Sequence, residues 1–243
     1  MKKVLVTVCH GVELELGSEY CTEFIDDIVS RVPAVYRDYV HFHQYDWNIL
    51  VSDRQQQTFE MEEDLGASGI RKKVISLACD ILWYRASKGT SAGMDIYQQI
   101  HRKLETEIDV IKEKHKTDEL VGIGHSWGTQ VLLDHAFETK HHIKGLFTMG
   151  SPITKVAGMY PDWGHLPEKK MEFWINFYAN RDLVASWFKK HKSQAFRDFV
   201  EDVRIKSWNP IDLLFLKQHV LYWKSPTVKQ KIADSLVKFL AAS

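Results

Sequence analysis

The chain has 243 residues, of which 44% are hydrophobic and 26% are charged, as is typical of one globular domain with a substantial core. Lys and Arg together number 32, as do Asp and Glu, so the formal net charge is zero. A nucleic-acid-binding protein usually carries a basic excess, so we expect no nucleic-acid partner. The cysteines, Cys9, Cys21 and Cys79, are too few for a disulfide framework and favour a reducing compartment.

The N-terminus carries two lysines and a short apolar run that ends at Cys9. This resembles a lipoprotein signal, but the run is only about half the length that such a signal usually needs. Its β-branched residues instead predict a buried first strand over residues 3–9. No other stretch approaches the roughly 20 apolar residues of a membrane span, so we expect a cytoplasmic protein without an integral membrane segment.

Strand and helix patterns alternate along the rest of the chain, with an ambiguous period only at residues 72–84, where we favour a helix. In chain order, the predicted elements are a strand at 3–9, a helix at 18–32, a strand at 39–47, helices at 52–65, 72–84 and 91–115, a strand at 119–126, a helix at 129–139, strands at 143–151 and 172–180, and helices at 193–205 and 225–242. This alternation predicts an α/β fold with a doubly wound, mostly parallel sheet flanked by helices. Functional groups in such folds gather at the carboxyl ends of the strands.

The segment GHSWG, residues 124–128, lies between a predicted strand and a predicted helix. A nucleophile elbow requires this pattern, because its serine adopts strained backbone angles on a tight turn and leaves room only for small residues on either side. The helix that follows begins beside the serine and directs its amides towards a developing oxyanion. We therefore interpret Ser126 as a nucleophile; the alternative is a glycine-flanked turn without chemistry.

A nucleophilic serine needs a base and a group that orients the base. One known arrangement has the acid and then the histidine following the serine along the chain. Asp182 follows the strand at 172–180, and His219 precedes the final helix, so both fit this order. The alternatives are that Asp182 caps a helix beginning near Val184 and that His219 has no catalytic task.

Two other carboxylates compete with Asp182 for the role of the acid. Asp162 lies in a loop before the strand at 172–180, and Asp212 lies shortly before His219. We choose Asp182, because a rigid strand end positions an acid better than a loop does.

Backbone amides near the end of the first strand are the expected oxyanion donors. Gly11 permits close approach of the backbone, so the amides of Gly11 and Val12, together with that of Trp127, are our candidates. The candidate residues of the substrate pocket are His10, Trp127, Met159 and Tyr160.

These segments resemble the α/β-hydrolase superfamily, specifically its lipase/esterase-like serine hydrolases, over nearly the whole chain. The resemblance is carried by HG after the first strand, CDILWY, GHSWG, MGSPI, WINFYANRDLVAS and HVLYW. It implies a catalytic triad of Ser126, His219 and Asp182. Trp127 departs from the small or aliphatic residue that many relatives have after the nucleophile, and we expect its indole to shape the acyl pocket.

The resemblance also suggests a cap or lid, and the possible lid segments in this single domain, residues 1–243, are 154–170 and 185–216. His41 and His43 share one strand face at a spacing that suits a metal. Tyr45, however, stands where a related metallo-hydrolase motif has aspartate, and no second cluster of ligands is evident, so we predict no metal site.

The sequence therefore predicts a serine hydrolase that cleaves a carboxylic ester or thioester through an acyl-enzyme on Ser126, with no cofactor. The expected substrate is a small-molecule or lipid ester. The alternatives are an acyltransferase with the same triad and a non-catalytic binding protein on the hydrolase scaffold. The sequence leaves the oligomeric state open.

Overall fold

The computed structural model describes residues 1–11, 19–51, 60, 84, 94–156, 171–190, 194–206 and 219–242. The helices predicted at 52–65 and 72–84 lie outside these ranges, apart from Glu60 and Tyr84.

A parallel sheet of six strands forms the centre of the fold. Its strands are β1 (Val4–Cys9), β2 (Val40–Tyr45), β3 (Glu119–His125), β4 (Ile143–Met149), β5 (Phe173–Ala179) and β6 (Val200–Ile205). They lie in the order β2-β1-β3-β4-β5-β6, and every neighbouring pair is parallel. Cys9 pairs with Gly124, which in turn pairs with Thr148, so the carboxyl ends of the three central strands lie together at one edge.

The remaining regular elements in the described ranges are helices, two of them short 3₁₀ turns. They are α1 (Glu19–Arg31), α2 (Ala34–Arg37), the 3₁₀ turn Asn48–Leu50, α3 (Met94–His115), α4 (Gly128–Glu138), α5 (Ile153–Val156), the 3₁₀ turn Phe188–Lys190, α6 (Gln194–Phe199), α7 (Leu221–Lys224) and α8 (Pro226–Ala241). The start of α8 follows from its sequence, because Ser225 accepts a hydrogen bond from the Val228 amide and Pro226 occupies the first turn.

Two apolar cores cover the two faces of the sheet. One contains Ile100, Leu104 and Ile108 of α3 and residues of α4, and the other contains residues of α1 and α8. Adjacent β1 residues point to opposite cores, with Leu5 in the first and Val4 and Val6 in the second. Burial on both faces explains why the inner strands β1, β3 and β4 are mostly apolar.

The helix predicted at 193–205 is wrong in its second half, where β6 adds a strand to the sheet. The apolar spacing in this segment is helical, but Val200–Ile205 pairs in parallel along the outer edge of β5. Asp202 fixes the new strand there: its Oδ1 accepts from the Asn176 side-chain amide at 2.8 Å, and its Oδ2 accepts from the amides of Phe188 and Lys189 at 2.7 and 2.9 Å. Part of the possible lid at 185–216 is therefore edge strand.

No helix within the described ranges has a stretch long and apolar enough to cross a membrane.

His135 on α4 is a fully buried imidazole between two other histidine rings. It is 0% exposed and stacks on His101 and His141, with centroids at 5.9 and 6.0 Å. Neither ring nitrogen has a hydrogen-bond partner in the part of the chain that the structure describes. Burial, reinforced by the neighbouring histidines, lowers the pKa of His135 to about 3.

His135→Phe should flatten the loss of stability on acidification. Below the usual histidine pKa the unfolded chain binds a proton at His135 and the folded chain does not, so stability falls as pH drops from about 6.5 towards 3. In the variant, the free energy of unfolding should fall less steeply with decreasing pH, by about 1 kcal/mol per pH unit. At pH 8 the variant should be as stable as the wild type. Urea unfolding between pH 4 and 8 measures this, and the same substitution at exposed His142 is the control. Equal slopes in the wild type and His135→Phe would contradict the assignment.

Candidate active site

Ser126 lies at the tight turn that joins β3 to α4, in a left-handed conformation with φ of 53°. Its amide donates to the Met149 carbonyl at 2.9 Å, which ties the turn to β4. A side chain at Gly124 would meet the Thr129 backbone at 2.6 Å, and one at Gly128 would meet the Cys9 and His10 carbonyls. Close backbone contacts therefore require both glycines. Gly124 packs against the backbone of α4, and Gly128 packs against the backbone at the end of β1.

The structure brings Ser126, His219 and Asp182 together in a continuous chain of hydrogen bonds. Ser126 Oγ lies 2.7 Å from His219 Nε2, and His219 Nδ1 lies 2.9 Å from Asp182 Oδ2. Asp182 lies three residues after the end of β5, and His219 lies two residues before the start of α7. Ser126 and His219 are 6% and 7% exposed, whereas the side chain of Asp182 is 0% exposed, so the carboxylate is fully buried while the serine and the histidine stay slightly accessible.

Asp182 is a buried carboxylate whose hydrogen bonds keep it ionised. Burial acts to raise its pKa, but donation from His219 and Tyr222 and from the Val184 amide outweighs burial, so the pKa lies below its ordinary value. The ionised carboxylate accepts from His219 Nδ1, which leaves Nε2 to accept the Ser126 hydroxyl proton.

Two side chains that sequence reasoning missed support this hydrogen-bonded chain. His125 Nε2 donates to the His219 carbonyl at 2.7 Å, and Tyr222 donates to Asp182 Oδ2 at 2.8 Å. Burial, together with nearby His219, lowers the pKa of His125 to about 3, so this imidazole is neutral at physiological pH. The only sequence signal was proximity along the chain. His125 directly precedes Ser126 in GHSWG, and Tyr222 follows His219 by three positions in HVLYW.

The end of β1 lies directly against the serine. A side chain at Gly11 would approach Ser126 Cβ to 2.5 Å and Oγ to 3.1 Å. Trp127 caps α4, where backbone amides lack acceptors within the helix. Both candidate oxyanion donors that the structure describes are therefore next to Ser126, while Val12 lies outside the described residues.

His10, a pocket candidate, is 7% exposed, and its ring lies between the Gly11 carbonyl and the Asp46 carboxylate. Its Nδ1 lies 2.6 Å from the Gly11 carbonyl and its Nε2 lies 3.2 Å from Asp46 Oδ1, while Trp47 Nε1 donates to the His10 carbonyl at 2.9 Å. These contacts hold the Gly11 segment against the turn that follows β2.

Trp127 differs from the expected pocket residue, because its indole is buried in the core. It is 1% exposed and meets the Tyr84 ring edge-on at 5.8 Å. Its Nε1 has no hydrogen-bond partner among the described residues. We therefore expect the indole to contribute first to stability.

Several predicted site residues cannot be compared with the structure. Met159, Tyr160, the rival acids Asp162 and Asp212, and lid residues 157–170 and 207–216 lie outside the described ranges.

His43 and His41, the candidate metal ligands, have other partners. His43 Nε2 lies 3.0 Å from Glu107 Oε2, and the His41 ring stacks on His115 at 4.3 Å. The described residues contain no group of three or more side chains that could hold a metal ion.

No known family model matches the sequence, and no curated protein matches it significantly. Solved structures do resemble it. The esterase Pf2001 from Pyrococcus furiosus superimposes with a TM-score of 0.50 at 13% identity, over 98% of this chain and 83% of that one. Est1E from Butyrivibrio proteoclasticus gives 0.51 at 12% identity, over 97% and 89%. The chain has an α/β-hydrolase fold, which confirms the predicted fold class.

Trp127→Ala should lower the free energy of unfolding by about 3–5 kcal/mol, as expected for truncating a fully buried aromatic residue. Trp127→Phe should cost less than half as much, because Nε1 gives up no hydrogen bond to a described residue. Urea unfolding of both variants measures the difference. A loss below about 1 kcal/mol for the alanine variant would show that the indole is not a core residue.

Proposed function

We propose that the protein is a serine hydrolase that cleaves a carboxylic ester or thioester of a small molecule or lipid. The observation that carries this proposal is the pair of hydrogen bonds, 2.7 and 2.9 Å long, that join Ser126 to His219 and His219 to Asp182. Two solved structures with the same fold are named esterases, which supports the same class of reaction.

In the first half of the reaction, Ser126 Oγ attacks the acyl carbon while His219 Nε2 takes the hydroxyl proton. The backbone amides of Gly11, Val12 and Trp127 hold the oxyanion that forms. Asp182 fixes the tautomer of His219 and stabilises the imidazolium. His219 then gives its proton to the departing alcohol or thiol, which leaves an acyl group on Ser126.

In the second half, water attacks the acyl-enzyme with His219 again acting as base, and Ser126 Oγ leaves with the proton.

The proposed location is the cytoplasm. Cys9 and Cys21 are both buried free thiols, as suits a reducing compartment.

Ser126 should react covalently with a fluorophosphonate probe, because an activated serine beside oxyanion donors attacks phosphorus readily. Mass spectrometry of the folded protein should find the adduct on Ser126, and Ser126→Ala should remove both the adduct and the hydrolysis of p-nitrophenyl esters. Ser151, a buried serine next to Thr129, is a matched control: Ser151→Ala should keep the adduct. An adduct elsewhere, or none, would refute the proposed nucleophile.

Asp182→Asn should keep the fold but lower kcat by roughly 10⁴-fold, because an amide holds His219 in the wrong tautomer. Initial rates on p-nitrophenyl esters measure the loss, and circular dichroism checks the fold. Asp109→Asn is the control, since its half-exposed carboxylate pairs, among the described residues, with Lys140 and His141 and has no contact with the proposed triad, and turnover should stay within tenfold of the wild type. Full activity of Asp182→Asn would exclude Asp182 as the acid.

A further inference from the structure

The phenol of Tyr222 and the imidazole of His219 share one oxygen of the Asp182 carboxylate. Tyr222 donates to Asp182 Oδ2 at 2.8 Å, and His219 Nδ1 donates to the same atom at 2.9 Å. The other oxygen, Oδ1, accepts from the Val184 amide at 2.9 Å. The atom that faces the base therefore has a second donor, and no step proposed above uses that donor.

The position and proton direction of the phenol are fixed by its surroundings. Tyr222 is 0% exposed, and its oxygen accepts from the Ala179 amide at 2.9 Å, so its own proton is directed to Asp182. Gly150, with φ of 57°, leaves the space for this contact, since a side chain there would lie 2.8 Å from the Tyr222 ring and 3.0 Å from Asp182 Oδ2.

The hydrogen bond from Tyr222 weakens the electrostatic effect of the Asp182 carboxylate on His219. A hydrogen bond to the charged form of a carboxylate spreads its negative charge and lowers its basicity. The described titratable groups facing this pair are His125, which is buried and neutral, and Tyr222, whose burial raises its pKa well above the ordinary value. Within the described residues, Tyr222 is therefore the side chain that shares the charge of Asp182 with His219.

We propose that Tyr222 is a positioning residue: its hydrogen bond to Asp182 Oδ2 fixes the carboxylate and limits how strongly that carboxylate stabilises protonated His219. The ion pair that His219 forms with Asp182 after taking the Ser126 proton is thereby weaker. This inference rests on the proposed serine mechanism.

The test is the pH dependence of fluorophosphonate labelling, which needs no knowledge of the natural substrate. Labelling requires neutral His219, so its rate falls on the acid side. In Tyr222→Phe the carboxylate keeps its full charge, and the midpoint of the acid limb should move to higher pH by about half a unit to one unit. The plateau rate should fall by less than the roughly 10⁴-fold expected for Asp182→Asn.

Tyr45→Phe is the matched control. Tyr45 is also 0% exposed, and its hydroxyl donates to the Ile100 carbonyl at 2.5 Å, in the core that packs on the other face of the sheet from Tyr222. Removing that hydroxyl should lower stability without moving the midpoint. A merely structural role for Tyr222 would leave the midpoint unchanged, as in the control, even if labelling slowed at every pH, and that result would overturn the proposal.

A second variant keeps the test decisive if Tyr222→Phe does not fold. Replacing Tyr222 with 3-fluorotyrosine keeps the hydroxyl but makes it a stronger donor, so the midpoint should move to lower pH. An unmoved midpoint, or a shift to higher pH, would refute the proposal.

If the wild type is not labelled at Ser126 at all, the serine mechanism itself fails. If Ser126 is labelled but the midpoint stays fixed in the folded variants, only the role of Tyr222 fails.

Discussion

The left-handed backbone of Ser126 is the constraint on which the rest of the site depends. A non-glycine residue at φ of 53° costs about 1–3 kcal/mol unless its surroundings hold it there. Here the Met149 carbonyl accepts from the Ser126 amide, and Thr129 donates back to the Ser126 carbonyl through both its amide and its hydroxyl. This support comes from the neighbouring strand β4 and from the first turn of α4, so these two elements together hold the serine in its conformation at the end of β3.

Much of this arrangement could be predicted from the sequence, because parallel strands bring residues that are distant in the chain to one edge. Asp182 and His219 were chosen by chain order and strand-end position, and the structure brings both within hydrogen-bonding range of their neighbours. β6 could not be predicted from its own residues. Its apolar spacing is helical, and only the open edge of β5, with Asn176 reaching Asp202, selects a strand.

The supporting contacts were missed for a different reason. The His125 bond spans 94 positions of the chain, and the Tyr222 bond spans 40. No local periodicity or motif encodes such a pairing, because it depends on where two strand ends and a helix meet. Trp127 shows the same limit: its position beside the nucleophile suggested a pocket, whereas its ring turns into the core against Tyr84.

Three of the described histidines lie around Ser126, and their hydrogen bonds distinguish which one can accept its proton. His125 is adjacent in sequence, but burial keeps it neutral and its Nε2 is used on the His219 carbonyl. His10 also has an aspartate partner, yet its second nitrogen faces the Gly11 carbonyl. His219 alone among the three combines a carboxylate at Nδ1 with the serine hydroxyl at Nε2. A histidine–aspartate pair near a serine is therefore insufficient, and the direction of the remaining nitrogen decides the role.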